Sequence, residues 1–129
     1  MRKIIIGAIF ILIASKSFAE TNAQWEQRIF LVIERANELI DELPYTEENL
    51  IKLYAYALWL PNAIDQLIIS HSNHRSREWR NQLILESNWW NEIRPIIYQY
   101  LGNYRLTHEN IISRSWVYVQ RLNDRWTRL

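Results

Sequence analysis

The 129-residue chain contains no cysteine, two glycines and three prolines. Without cysteine there can be no disulfide scaffold, zinc finger or thiol nucleophile. So few glycines and prolines leave too few turns for a β-sandwich or barrel, which needs one every few residues. The described motif classes that cradle phosphate, build a nucleophile elbow or hold zinc through His-Glu-x-x-His do not occur. What the chain has is apolar bulk: 49% of residues are hydrophobic and 13% aromatic, with seven Trp and seven Tyr. Charged residues make up 22%, so neither a disordered nor a fibrous chain fits.

The first nineteen residues have the pattern of an export signal. Arg2 and Lys3 precede an apolar run from Ile4 to Ala14, and Ser17 and Ala19 stand three and one before a cut after Ala19. Eleven apolar residues are too short for a bilayer span, which needs about 20. The expectation is therefore a signal peptide over 1–19 and a single helical domain over 20–129, periplasmic or secreted, with no stable membrane span after cleavage. Removing the leader takes away three basic residues and no acidic ones, which turns the net charge from +1 to −2. A nearly neutral chain gives no electrostatic basis for nucleic-acid binding.

The remaining sequence is periodic at helical spacing throughout, and the expected fold is all-α: a four-helix bundle, either up-and-down or made of paired hairpins. Helix 1 is predicted from about Gln24 to Leu43, its stripe formed by Trp25, Ile29, Val32, Ala36, Leu39, Ile40 and Leu43, with Pro44 ending it. Helix 2 opens at Thr46, a favourable N-cap followed by Glu47 and Glu48. Its segment Leu50–Leu60 is apolar on nearly every side, which predicts the central helix, and Pro61 is expected to break or kink it. Helix 3 runs from about Arg77 to Arg94, interrupted at Pro95, with Gly102 in the C-cap role. Helix 4 opens at Thr107 and continues to the end, with Ile111, Tyr118, Leu122, Trp126 and Leu129 in line.

Thr46-Glu47-Glu48-Asn49 and Thr107-His108-Glu109-Asn110 echo each other, as two independent N-caps would. The segment Leu106-Thr107-x-x-Asn110 resembles, over five residues, the Leu-Thr-x-x-Gln motif of the small periplasmic helical chaperones and stress sensors. It ends in Asn rather than Gln, and those proteins bear methionines that the chain after the leader lacks.

Charge is unevenly divided. From Glu20 to Asp65 the net is −6, and from Gln66 onward it is +4, every basic residue there being Arg. Arg114, Arg121, Arg125 and Arg128 fall within one arc of helix 4, and Glu34, Glu38, Asp41 and Glu42 form an acidic ridge on helix 1. Either the ridges are solvated or mutually paired, or one docks a charged partner. Phe30 and Leu31 lie off the stripe of helix 1, Trp116 and Val117 off that of helix 4, and Leu85, Trp89 and Ile96 form a second strip on helix 3. Tryptophan beside arginine is the composition of a binding hot spot. The candidate binding residues are accordingly Trp79, Arg80, Trp89, Trp90, Arg94 and Trp116, with the four arginines of helix 4.

The reading is a protein-binding module acting on an envelope partner, as an inhibitor, immunity or accessory protein, or associating with itself. No cofactor is expected. Two alternatives stand beside it. A small cell-wall glycan hydrolase would use Glu86, set in the stripe of helix 3 between Leu83 and Trp90, with Asp65 as its second carboxylate. A metal-binding stress sensor would use His71, His74 and Glu78.

Overall fold

A computed structural model describes residues 22–42, 44–71 and 75–124. Within them the chain is all-helical, with four α-helices and no strand: α1 (Asn22–Asp41), α2 (Glu47–His71), α3 (Arg77–Gly102) and α4 (His108–Asn123). None of these helices is long and apolar enough to cross a membrane.

The helix starts follow capping chemistry. The hydroxyls of Thr46, Ser76 and Thr107 each accept the backbone N–H three residues on, at 3.1 Å from Asn49, Trp79 and Asn110. The Thr107 and Asn110 of the five-residue motif thus form the N-cap of α4, and the echo between the starts of α2 and α4 is this shared cap geometry. The ends follow less closely. The chain leaves α1 at Asp41, before Pro44 is reached. At the end of α3 the left-handed residue is Arg105 (φ 58°), not Gly102, and Asn103 caps the helix in right-handed geometry.

Neither proline ends its helix. Pro61 sits inside α2 and Pro95 inside α3. A proline in mid-helix has no N–H to offer the carbonyl four residues earlier. For Pro61 that carbonyl belongs to Ala57, and the guanidinium of Arg94 on α3 supplies the missing donor at 3.2 Å. The helix continues because a neighbouring helix satisfies the group its own backbone leaves open.

Helix α2 packs against each of the other three. Twelve of its residues are buried, among them Leu50, Ile51, Leu60, Ile64 and Leu67, as expected of a segment apolar on nearly every side. Contacts fix the directions. Trp25 near the start of α1 meets Trp59 in the middle of α2, ring centroids 5.5 Å apart, while Asn49 at the start of α2 donates to Glu42 just past the end of α1, so the two run antiparallel. Tyr98 on α3 lies against Tyr54, and Trp79 against His71, so α3 returns along α2. Arg114 meets Glu47 and Glu48 while Asn123 meets Trp59, so α4 runs parallel to α2 and stops well short of its end.

Candidate functional site

The aromatic cluster expected as a surface on α3 is mostly interior. Trp90 is fully buried and donates its indole N–H to the Glu86 carboxylate at 2.8 Å. Trp89 is half-buried and meets Trp90 edge to face at 4.7 Å. Trp79 is buried beneath Arg75, whose guanidinium stands 4.5 Å from its ring and bonds Glu26 at 2.6 Å. At one residue per 100° of rotation, Trp79, Leu83, Trp90, Ile97 and Leu101 all point toward α2.

The arginines are likewise occupied. Arg94 bonds the Ala57 carbonyl and, at 3.0 Å, the side chain of Asn91. Arg114 forks onto Glu47 at 2.7 Å and Glu48 at 2.8 Å. The paired reading of the charged ridges therefore holds for Arg114, with its partners at the start of α2 and not on the α1 ridge. Tyr118 donates to Glu48, and Lys52 and Arg121 approach its ring at 5.8 and 5.9 Å. That hydrogen bond, followed by Arg114, holds the Glu48 carboxyl below its ordinary range. Burial, followed by the bond to Glu48, pushes the Tyr118 hydroxyl up to about 12. Arg121 is exposed and Arg80 half-buried. Arg125 and Arg128, and the stripe residues Leu43, Trp126 and Leu129, lie outside the described residues, as does the predicted leader.

Of the off-stripe apolar residues, Phe30 enters the core, while Leu31, Leu85, Ile96, Trp116 and Val117 stay exposed. Leu85 is 68% exposed, Ile96 51% and Trp116 50%. Two features result. One is the outer strip of α3, where Leu85, Trp89 and Ile96 stand in line on the side away from α2. The other is a groove of about 450 Å³ along the outer side of α2. Its apolar wall includes Trp25 of α1, Trp59 of α2 and Val119 of α4. Asn62, Asp65 and Gln66 border it from α2, Asn123 closes it from α4, and Trp116 and Ile69 stand at its edge, exposed. Among the described residues α4 ends at Asn123 while α2 runs on to His71, so no residue of α4 lies beside the last turns of α2.

The expected acid pair is not brought together in this groove. Asp65 borders it, whereas Glu86 is buried on α3 against Trp90 and is not among the lining residues. Of the three candidate metal ligands, His71 packs edge-on to Trp79, Glu78 is exposed in the first turn of α3, and His74 lies outside the described residues. Among the described residues no group of three or more His, Asp or Glu side chains is gathered to hold a metal ion. The groove itself was not anticipated as a unit. Its α2 members recur at helical spacing (Leu58, Asn62, Asp65, Gln66, Ile69), but whether that polar face is covered depends on where α4 stops.

No protein-family model matches this chain, and no curated protein or solved structure matches it.

Proposed function

We infer that the protein is exported by a signal peptide cut after Ala19, leaving a single four-helix up-and-down domain in the periplasm or outside the cell. It works there by binding another envelope protein, in the manner of an inhibitor, immunity or accessory protein. The observation that supports this reading is the outer strip of α3. Leu85 and Ile96 stand exposed three turns apart on one line, with the edge of Trp89 between them. Isolated exposed apolar residues need no explanation, but a row of them on one helix face is the geometry of a helix-docking surface. On the same line Glu92 stands exposed between Trp89 and Ile96, with Asn81, Gln82, Asn88 and Gln99 at the borders, so a partner that docks there must offer that carboxylate a donor or leave it in water.

The test is the double variant Leu85→Glu, Ile96→Glu. Both side chains point to water, so thermal stability should change by no more than about 0.5 kcal/mol each. Capture of an envelope partner by the purified protein should be lost. If the variant retains the same captured protein as the wild type, the strip is not the docking surface. If instead the wild type sediments as a dimer and the variant as a monomer, the strip joins two copies of the chain.

A further inference from the structure

We propose that the groove along the outer side of α2 is a binding site for a short neutral saccharide, one pyranose ring of which stacks on Trp116. This goes beyond the docking role assigned to α3 and uses a different face of the molecule.

The polar rim decides the class of ligand. It consists of three side-chain amides and one carboxylate: Asn62, Gln66, Asn123 and Asp65. None of the lining residues is a cation. Among the described residues, the side chains of Asn62, Asp65 and Gln66 have no hydrogen-bond or ion-pair partner. The Asn123 amide oxygen is engaged by the indole N–H of Trp59 at 2.8 Å, which leaves its NH2 group for a ligand. An anionic ligand would face Asp65 with no cation among the described lining residues to neutralise it. A wholly apolar ligand would strip water from three amides and a carboxylate and offer nothing in return. A cation would suit Asp65 and the amide oxygens of Asn62 and Gln66, but it would meet the NH2 group of Asn123, whose oxygen is already held by Trp59. Hydroxyl groups both donate and accept, as amides do, and they donate to a carboxylate. A neutral polyol is the chemistry that uses all four rim groups.

The aromatic wall selects the ring. The indole of Trp116 is half exposed at the groove edge, and an exposed indole face carries partial negative charge. The C–H groups on one face of a pyranose carry the opposite partial charge, and the flat ring matches the indole in shape. Ile69 and Leu58 extend the apolar wall beside it. The volume, about 450 Å³, lies at the small end of the range for small-ligand sites, roughly 300–1,000 Å³. Trp59 and Trp25 are locked beneath by their edge-to-face contact and by the bond to Asn123, so the wall is rigid before a ligand arrives.

The experiment is saturation-transfer NMR on the purified protein with three probes, N,N′-diacetylchitobiose, cellobiose and maltose, and Gly-Arg-Gly as a cationic control. The expected result is transfer to the ring C–H protons of at least one sugar, with dissociation constants near a millimolar. Trp116→Ala should weaken binding at least about tenfold, and Trp116→Phe by no more than about threefold, since a smaller ring still stacks. Asp65→Asn should weaken it about threefold to tenfold by removing a charged acceptor. Leu85→Glu, on α3, should leave the sugar response unchanged, so failure of the α3 reading and failure of this one are separate results. Absence of transfer to every sugar at about ten times a millimolar dissociation constant overturns the proposal. So does a sugar response that survives Trp116→Ala, or a response to Gly-Arg-Gly alone.

Discussion

Replacing Arg94 with Met tests whether a side chain on one helix maintains the backbone of another. The guanidinium donates to the Ala57 carbonyl that Pro61 leaves without its helical partner. Methionine keeps the apolar stem and removes the donor. Ala57 is fully buried, and a buried carbonyl left unbonded costs about 1–3 kcal/mol. Arg94 itself is only half-buried, so water can reach part of the site, and the lower half of that range applies, about 1–2 kcal/mol. In a domain of this size that is a fall in Tm of roughly 4–8 °C per kcal/mol. The loss belongs to the proline only if it disappears with the proline. Pro61→Ala restores an N–H to the Ala57 carbonyl, so in that background Arg94→Met should cost no more than about 0.5 kcal/mol. A double-mutant cycle by urea denaturation, followed by circular dichroism, measures the difference. A coupling energy below about 0.3 kcal/mol would refute the reasoning and make Arg94 a surface arginine whose contact with Ala57 is incidental.

Two other expectations concern the core and the polar clamp. Trp90→Ala should cost about 3–5 kcal/mol, since it empties a fully buried indole site and removes the donor to Glu86, whereas Trp116→Ala should cost under about 1 kcal/mol; equal losses in thermal denaturation would contradict the burial that separates them. Tyr118 has a folded-state pKa raised to about 12 from an ordinary value of 10, so its contribution to stability is complete below pH 10 and is lost as pH rises toward 12. Glu48, held below its ordinary 4.5, contributes above that pH and loses its contribution as pH falls through its lowered value. Tyr118→Phe should therefore flatten the alkaline limb of a Tm-against-pH curve while leaving the limb between pH 5 and 9 parallel to the wild type; an unchanged alkaline limb would mean the hydroxyl is not held by Glu48.

How far the sequence could be read depended on whether a feature was local. The number of helices, the N-caps Thr46 and Thr107 and the central place of α2 follow from spacing and capping chemistry within single segments, and the structure has them, whereas α1 and α4 end earlier than their patterns suggest. The prolines misled because their effect is settled elsewhere. Pro61 reads as a break until Arg94 is placed beside Ala57, thirty-seven residues away in sequence. The tryptophans misled for a related reason. A helix packed against a broad apolar partner buries a wider arc than a single stripe, and α2 is such a partner. Phe30, off the stripe of α1, went inside for that reason, whereas Trp79 and Trp90 lie on the stripe of α3 that faces α2, and Trp116, on a helix that touches chiefly α2, stayed out.

The same asymmetry explains why the open groove lies where it does. A bundle with equal helices closes its seams along their whole length. Here α2 has 25 residues and its parallel neighbour α4 has 16, both starting at the same end, tied there by Arg114, Glu47 and Glu48. The mismatch appears at the far end, where α2 runs on to His71 beyond the level of Asn123, the last residue of α4. Had that stretch been apolar, it would read as a core seam lacking its cover. Its amides and carboxylate show instead a face suited to water or to a polar ligand, and Trp116, exposed at the groove edge, is the apolar element that water alone does not account for.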